Sequence, residues 1–321
     1  MTRVVTFGEL LLRLSPPGEE RLLASPQLMT WFGGAEANVA VALSHLGMPC
    51  EYVTRLPENP LGDSALESLR REGVGTRWIA RGGDRLGLYF VEPGADLRTM
   101  RVVYDRSASA FAQLDPGSID WGVVLADADW FHATGITPAL GEGPARAVGS
   151  GMAAARAARR PVSIDLNYRE ALWRGRDPRP IIEPLARGAD LVIGNAAAVR
   201  VMLGIDVPGD GLAQRIAEQL GCRFVAVTQR ESLAARTQAW SAVLYDAVER
   251  RLTASRREEV CVVDRVGGGD CFAAALIARL LAGAPPADAL AFAVAAGALK
   301  LTVPGDFSRA SVADVLEWQR R

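Results

Sequence analysis

Apolar residues along the chain fall into two alternating patterns. Short runs rich in Val, Ile, Phe and Leu recur at 3–7, 51–54, 130–133, 162–165, 191–193, 224–227 and 241–245. Long stretches with helical spacing, many rich in alanine, lie between and after them, at 35–46, 63–72, 143–158, 180–187, 196–203, 210–220, 270–281, 286–301 and 312–319. In 35–46 the set Val39, Ala42, Leu43 and Leu46 shares one helical face, and Gly47 is placed to close the helix. Strand–helix alternation over this length predicts crossover units, hence an α/β fold with a mostly parallel sheet and helices on both faces. Runs such as 123–133 lack clean polar–apolar alternation, which fits strands covered on both sides.

Two segments, about 11–32 and 76–106, break this rhythm. They are rich in Gly, Pro, Arg and aromatics, with strand-like pieces at 86–91 and 100–104 and turn signals at 81–84 and 92–96. They predict a small antiparallel sheet projecting from the main domain, with decorated surface loops as the alternative. The 321 residues suit roughly two domains or one large α/β unit, and no repeat or low-complexity linker divides them.

Composition removes several classes of function. Hydrophobic residues make up 49% and charged residues 23%, an ordinary globular mixture. A net charge of −1 gives no bulk attraction to nucleic acid or anionic lipid. No apolar run approaches the roughly 18–20 residues of a membrane span. Glu9 and Arg13 come too early for a signal peptide. The expected protein is cytoplasmic, with neither nucleic acid nor membrane as a partner. Cys50, Cys222, Cys261 and Cys271 show no CxxC spacing, and His45 and His132 are the only histidines. His45 precedes a helix end and His132 ends an apolar strand, so both read as structural. Lys300 is the only lysine among 36 basic residues. A Walker A loop, a protein-kinase Lys–Glu pair and a Schiff-base site all lack the lysine they need in the right place.

Two glycine clusters carry the chemistry. In the first, Gly33 and Gly34 lead directly into a helix, and Asn38 lies one turn in. In the second, Asp264-Arg265-Val266-Gly267-Gly268-Gly269-Asp270 precedes a long apolar helix. Three glycines at a helix start expose amide donors to an anion, reinforced by the positive helix end. Asp270 stands in the first turn, where dipole and amides are expected to keep a carboxylate ionised. A base beside a phosphate cradle suits phosphoryl transfer to an alcohol. Alone, each cluster is equally satisfied by a tight turn before a helix.

Together, GGAEAN near the start and DRVGGGD near the end resemble the ribokinase-like (PfkB-type) sugar kinases. The resemblance runs through Leu61-Gly62-Asp63, Asp165-Leu166-Asn167-Tyr168-Arg169, Ile193-Gly194-Asn195 and Pro304-Gly305-Asp306-Phe307. Within the family, GGAEANVAVALSHLG, GITPAL, DLNYREALW and VPGDF are most similar to 2-keto-3-deoxygluconate kinases. The resemblance implies a single kinase domain over 1–321, a three-layer fold with a β-sheet lid drawn from about 11–32 and 76–106. It implies Asp270 as base, and Gly267, Gly268 and Gly269 as the anion hole. It implies Gly33, Gly34, Asn38, Tyr89, Tyr104, Arg106, Arg169 and Asp306 around the sugar. Asn167, Asn195, Thr228, Arg230 and Gly268 are the implied nucleotide contacts. ATP and Mg²⁺ are the implied cofactors, the metal held through ATP and water. The implied acceptor is the terminal hydroxyl of a sugar acid, with Arg106 and Arg169 on opposite sides of the pocket receiving its carboxylate. A neutral-sugar or nucleoside kinase and a non-catalytic sugar-acid binder are the alternatives. Aromatic residues in the lid (Trp31, Phe32, Tyr89, Phe90) and Trp78 imply a homodimer or higher assembly through that surface.

Three positions depart from the family pattern. The Asn-x-x-Glu motif reads Asn195-Ala196-Ala197-Ala198, so an acid that helps organise Mg²⁺ is missing. The glycine-rich nucleotide loop reads Thr228-Gln229-Arg230-Glu231-Ser232-Leu233. Cys271 replaces a small residue beside the positive helix end, where an acidic thiol is expected.

Overall fold

The alternating runs assemble, in a computed structural model that describes residues 3–94, 98–234 and 236–320, into two sheets. The strands in chain order are β1 (Val4–Phe7), β2 (Leu11–Ser15), β3 (Met29–Gly33), β4 (Cys50–Leu56), β5 (Ile79–Arg81), β6 (Gly87–Glu92) and β7 (Arg101–Asp105). They continue with β8 (Trp130–Thr134), β9 (Val162–Asp165), β10 (Leu191–Gly194), β11 (Phe224–Ser232), β12 (Thr237–Asp246), β13 (Arg251–Ala254) and β14 (Glu258–Cys261). The large sheet has the order β13-β12-β11-β10-β9-β8-β1-β4-β5, with β14 also on β12. From β11 to β5 every pairing is parallel; β12, β13 and β14 close that end antiparallel.

Successive residues of the central strands point to opposite faces, and both faces are covered. Val4, Leu191 and Ile193 face the helices Ala35–His45, Gly268–Leu281 and Pro286–Lys300. Val5 and Val192 face Glu142–Ala157, Arg179–Ala186, Ala196–Leu203 and Gly211–Leu220. Double-sided burial is why these strands read as continuous apolar runs. Alanine and glycine let the helices of the first face approach closely. A Cβ on Gly297 would lie 3.0 Å from the Gly268 carbonyl.

The small sheet has the order β3-β2-β6-β7. Three expectations need correction here. The small sheet is mixed, because β2 and β6 run parallel. Residues 79–81 leave it and pair with β4 at the edge of the large sheet. The run 123–133 is not one strand, since Trp121–Val124 is a helical turn before β8. Residues 95 and 96 of the turn expected at 92–96 lie outside the described residues.

Candidate active site

The second glycine cluster is shaped by close backbone packing. Gly267 has φ +83°, and a Cβ there would overlap the Asp306 carbonyl oxygen, so glycine alone fits. The helix Gly268–Leu281 starts at once and places Asp270 in its first turn, 8% exposed. Asp270 Oδ2 accepts from Asn38 Nδ2 at 2.7 Å, and Oδ1 from Asn167 Nδ2 at 3.4 Å. Asn38 Oδ1 in turn accepts from the Gly34 amide at 3.3 Å. The two glycine clusters, far apart in sequence, therefore meet through one asparagine. Asn167 adopts φ +41°, a left-handed conformation that Asn tolerates better than most residues.

Between the small sheet and the C-terminal ends of β9, β10 and β11 lies a cavity of about 580 Å³. This is the usual location of ligand sites in open parallel sheets. Tyr89, Val91, Met100, Val102 and Tyr104 form its roof. The Tyr89 and Tyr104 rings stack at 6.2 Å. Asp165, Asn167, Arg169, Asn195, Thr228, Arg230, Arg265, Gly267, Gly269 and Asp270 line the rest with Tyr168, Glu170, Ala171, Ile193, Gly194, Val266 and Gln238. Three guanidinium groups therefore share the cavity with Asp165 and Asp270. Arg230 stacks 4.4 Å from the Trp240 ring, while Arg169 donates to the adjacent Tyr168 carbonyl at 3.1 Å.

Burial dominates the titration of this site. It raises Asp270 above the ordinary carboxylate value, against the pull of Asn38, Arg169, Arg230 and Asn167. Burial outweighs the helix tip and its donors here, so the group titrates above an ordinary carboxylate and not below it. Burial, reinforced by Asp270, pushes Asp165 up to about 7. Cys271 also departs from expectation. Its thiol donates to the Ala296 carbonyl at 3.3 Å, and burial pushes it up to about 11. His132 is fully buried, contacts Ser163 Oγ at 2.8 Å, and burial brings it down to about 3.

Several residues expected around the sugar lie just outside the cavity lining. Arg106 is buried against Glu9, which also accepts from Ser109, so its guanidinium is already paired. Of the two arginines expected to receive a carboxylate, Arg169 lines the cavity and Arg106 does not. Asp306 accepts from Arg13 at 3.0 Å and from the Tyr89 hydroxyl. Cβ atoms at Gly33 and Gly34 would overlap the Asp306 carboxylate and the Glu9 carbonyl, so these glycines admit protein neighbours. Gly268 packs against Leu301. Residues 228–232 continue β11 as a strand and do not form a loop. Asn195 caps the helix Ala196–Leu203 through the Ala198 amide at 2.9 Å.

Sequence reasoning left Asp165 and Arg265 without roles, although both lie in quoted motifs. It also missed Glu36, which accepts from the Thr134 amide and from the Thr134 and Thr137 hydroxyls, tying the first glycine-led helix to the end of β8. Among the described residues no group of three or more His, Cys, Asp and Glu side chains could hold a metal. A second, open groove near Arg156, Arg179 and Arg187 has its arginines engaged by Gly188, Asp177 and Glu183. On the lid, Leu14, Leu88 and Phe90 are half-buried and Val103 is 53% exposed, on the face away from the cavity.

The sequence pattern of the pfkB family carbohydrate kinases matches residues 1–311. The chain belongs to the pfkB family of carbohydrate kinases. Among these kinases, a 2-dehydro-3-deoxygalactonokinase from Haloferax volcanii is 35% identical over 307 residues, covering 95% of this chain and 92% of that protein. A 2-dehydro-3-deoxygluconokinase from Thermoproteus tenax is 30% identical over 318 residues, covering 95% and 90%. The crystal structure of a 2-dehydro-3-deoxygluconokinase from Thermotoga maritima superposes with a TM-score of 0.96 at 39% identity over the whole of both chains. The large sheet, its helical layers and the small separate sheet are thus the architecture of a known carbohydrate kinase. No helix among the described residues is long and apolar enough to cross a membrane.

Proposed function

We propose that the protein transfers the γ-phosphoryl group of ATP to the terminal hydroxyl of a sugar acid, with 2-keto-3-deoxygluconate as the preferred acceptor. One observation carries this reading. Asp270 and the Gly267–Gly269 turn share a helix tip that opens into a roofed cavity lined by Arg169. Asp270 takes the hydroxyl proton as the alcohol oxygen attacks the γ-phosphorus and ADP leaves. The amides of the turn and the positive helix end stabilise charge on the transferring group. The roof excludes water, which suppresses futile hydrolysis. Asn38 and Asn167 orient the base, while Tyr89 and Tyr104 cover the sugar.

Arg169 is the cavity arginine assigned to the substrate carboxylate. Its guanidinium keeps most of its donors, which suits a carboxylate far better than a neutral sugar. Arg230, Thr228 and Asn195 are assigned to the nucleotide side, and Arg230 can meet phosphate charge. Mg²⁺ supplies charge neutralisation of the phosphates, and the residues fit it through water. Asp165 accepts from the Asn167 amide with one oxygen, and its other oxygen has no partner among the described residues. That acid faces the cavity where the Asn-x-x-Glu acid is absent. Such outer contacts suit an ion that keeps much of its hydration.

Arg169→Ala tests the acceptor class. The sugar-acid reading predicts a KM for 2-keto-3-deoxygluconate raised about 10–10²-fold, the range for a lost charged hydrogen bond. Activity on fructose should barely change. An unaltered KM for the sugar acid would favour the neutral-sugar reading.

A further inference from the structure

The chain's only lysine ends the helix Pro286–Lys300 and is 1% exposed. A lysine ammonium is seldom buried so fully without a purpose or a partner. Nζ donates to the Val303 carbonyl at 3.3 Å, and Cε lies 3.0 Å from where a Cβ on Gly267 would stand. The ammonium thus sits directly behind the first residue of the glycine turn.

Two carboxylates share this space. Asp264 accepts from the Val266 amide at 3.0 Å and the Gly305 amide at 3.0 Å, so it fixes the entry to the turn and the loop beside it. Arg13 bridges Asp264 at 2.8 Å and Asp306 at 3.0 Å. The Asp306 carbonyl presses on Gly267. Arg13 alone cannot neutralise both carboxylates. Lys300 feels the attraction of Asp264 and Asp306, which opposes the effect of its burial. With Lys300 the buried group holds two cations and two anions.

We infer that Lys300 is a positioning residue for phosphoryl transfer, a fixed internal cation that balances Asp264 and Asp306 and holds the Gly267–Gly269 amides toward the phosphoryl group. This rests on reading that turn as the anion cradle. Its effect should appear when charge develops at the turn, and not when the sugar binds on the Arg169 side. Small displacements of aligned donors can cost about 10²-fold in rate.

The test is steady-state kinetics of the full chain carrying Lys300→Met or Lys300→Gln. Met keeps the stem and removes the charge; Gln keeps a donor that can serve Val303 and also removes the charge. Both should lower kcat about 10–10²-fold while the sugar KM stays within about threefold. Wild-type kcat in folded Lys300→Gln would show that packing and a hydrogen bond suffice, and would overturn the charge role. A lower melting temperature with wild-type kcat in Lys300→Met would also overturn it, leaving Lys300 purely structural. An equal rise in KM with no loss of kcat would contradict it as well. If the wild-type enzyme showed no ADP release with any sugar, the proposed function would fail first, and that result is separate from all of these.

Discussion

Asp270→Asn should lower kcat by about 10²–10⁴-fold while sugar and nucleotide binding are preserved, the range for losing a positioned base. The substitution is nearly isosteric. An amide oxygen at position 270 can still accept from Asn38 Nδ2, so the link between the two glycine clusters survives. Only the capacity to take a proton is lost. Steady-state kinetics decide the matter, and near-normal turnover would remove Asp270 from the role of base. The wild-type enzyme adds an independent signature. Burial raises Asp270, so the acid limb of kcat/KM should lie above the ordinary carboxylate range.

Asp165→Asn should stabilise the ligand-free protein, by a margin that grows with pH. Burial, with Asp270 nearby, pushes Asp165 from the ordinary 3.8 up to about 7. The folded state therefore holds this proton more tightly than the unfolded chain does. As pH rises from about 4 to about 7 the unfolded state ionises first, and stability is lost across that window. Full ionisation corresponds to about 4 kcal/mol. Asparagine keeps an oxygen for the Asn167 amide and carries no charge to bury. Thermal melts should show the variant close to wild type near pH 4 and several degrees above it near pH 8. A melting difference that does not change with pH would contradict the assignment. The same carboxylate illustrates a general tension, since a site that holds buried charge for chemistry does so at the expense of stability.

The central layer of the fold was legible because double-sided burial leaves continuous apolar runs at β1, β4 and β8–β11. The antiparallel end was not. β13 and β14 are edge strands with Arg251, Glu258 and Glu259, and their polarity hides them. β5 has only three residues, too few to show a period. Asp270 and its glycines were legible because their chemistry is local to one motif. Arg13 was not, because its partners Asp264 and Asp306 lie 251 and 293 residues away. Arg106 was assigned to the substrate for the same reason, its partner Glu9 being 97 residues distant. Lys300 closes an alanine-rich helix and looks like an ordinary C-terminal cation. Only the packing of the neighbouring glycine turn reveals that its charge is enclosed.

The most direct measurement is Mg²⁺-dependent ADP release by the wild-type enzyme, coupled to a reporter, across 2-keto-3-deoxygluconate, 2-keto-3-deoxygalactonate, fructose, ribose and a nucleoside. A cavity lined by Arg169 and closed over Asp270 predicts that a 2-keto-3-deoxy sugar acid exceeds every neutral acceptor in kcat/KM by about 10²-fold. Equal or greater turnover of fructose, ribose or the nucleoside, or release of ADP that no acceptor stimulates, would contradict the account.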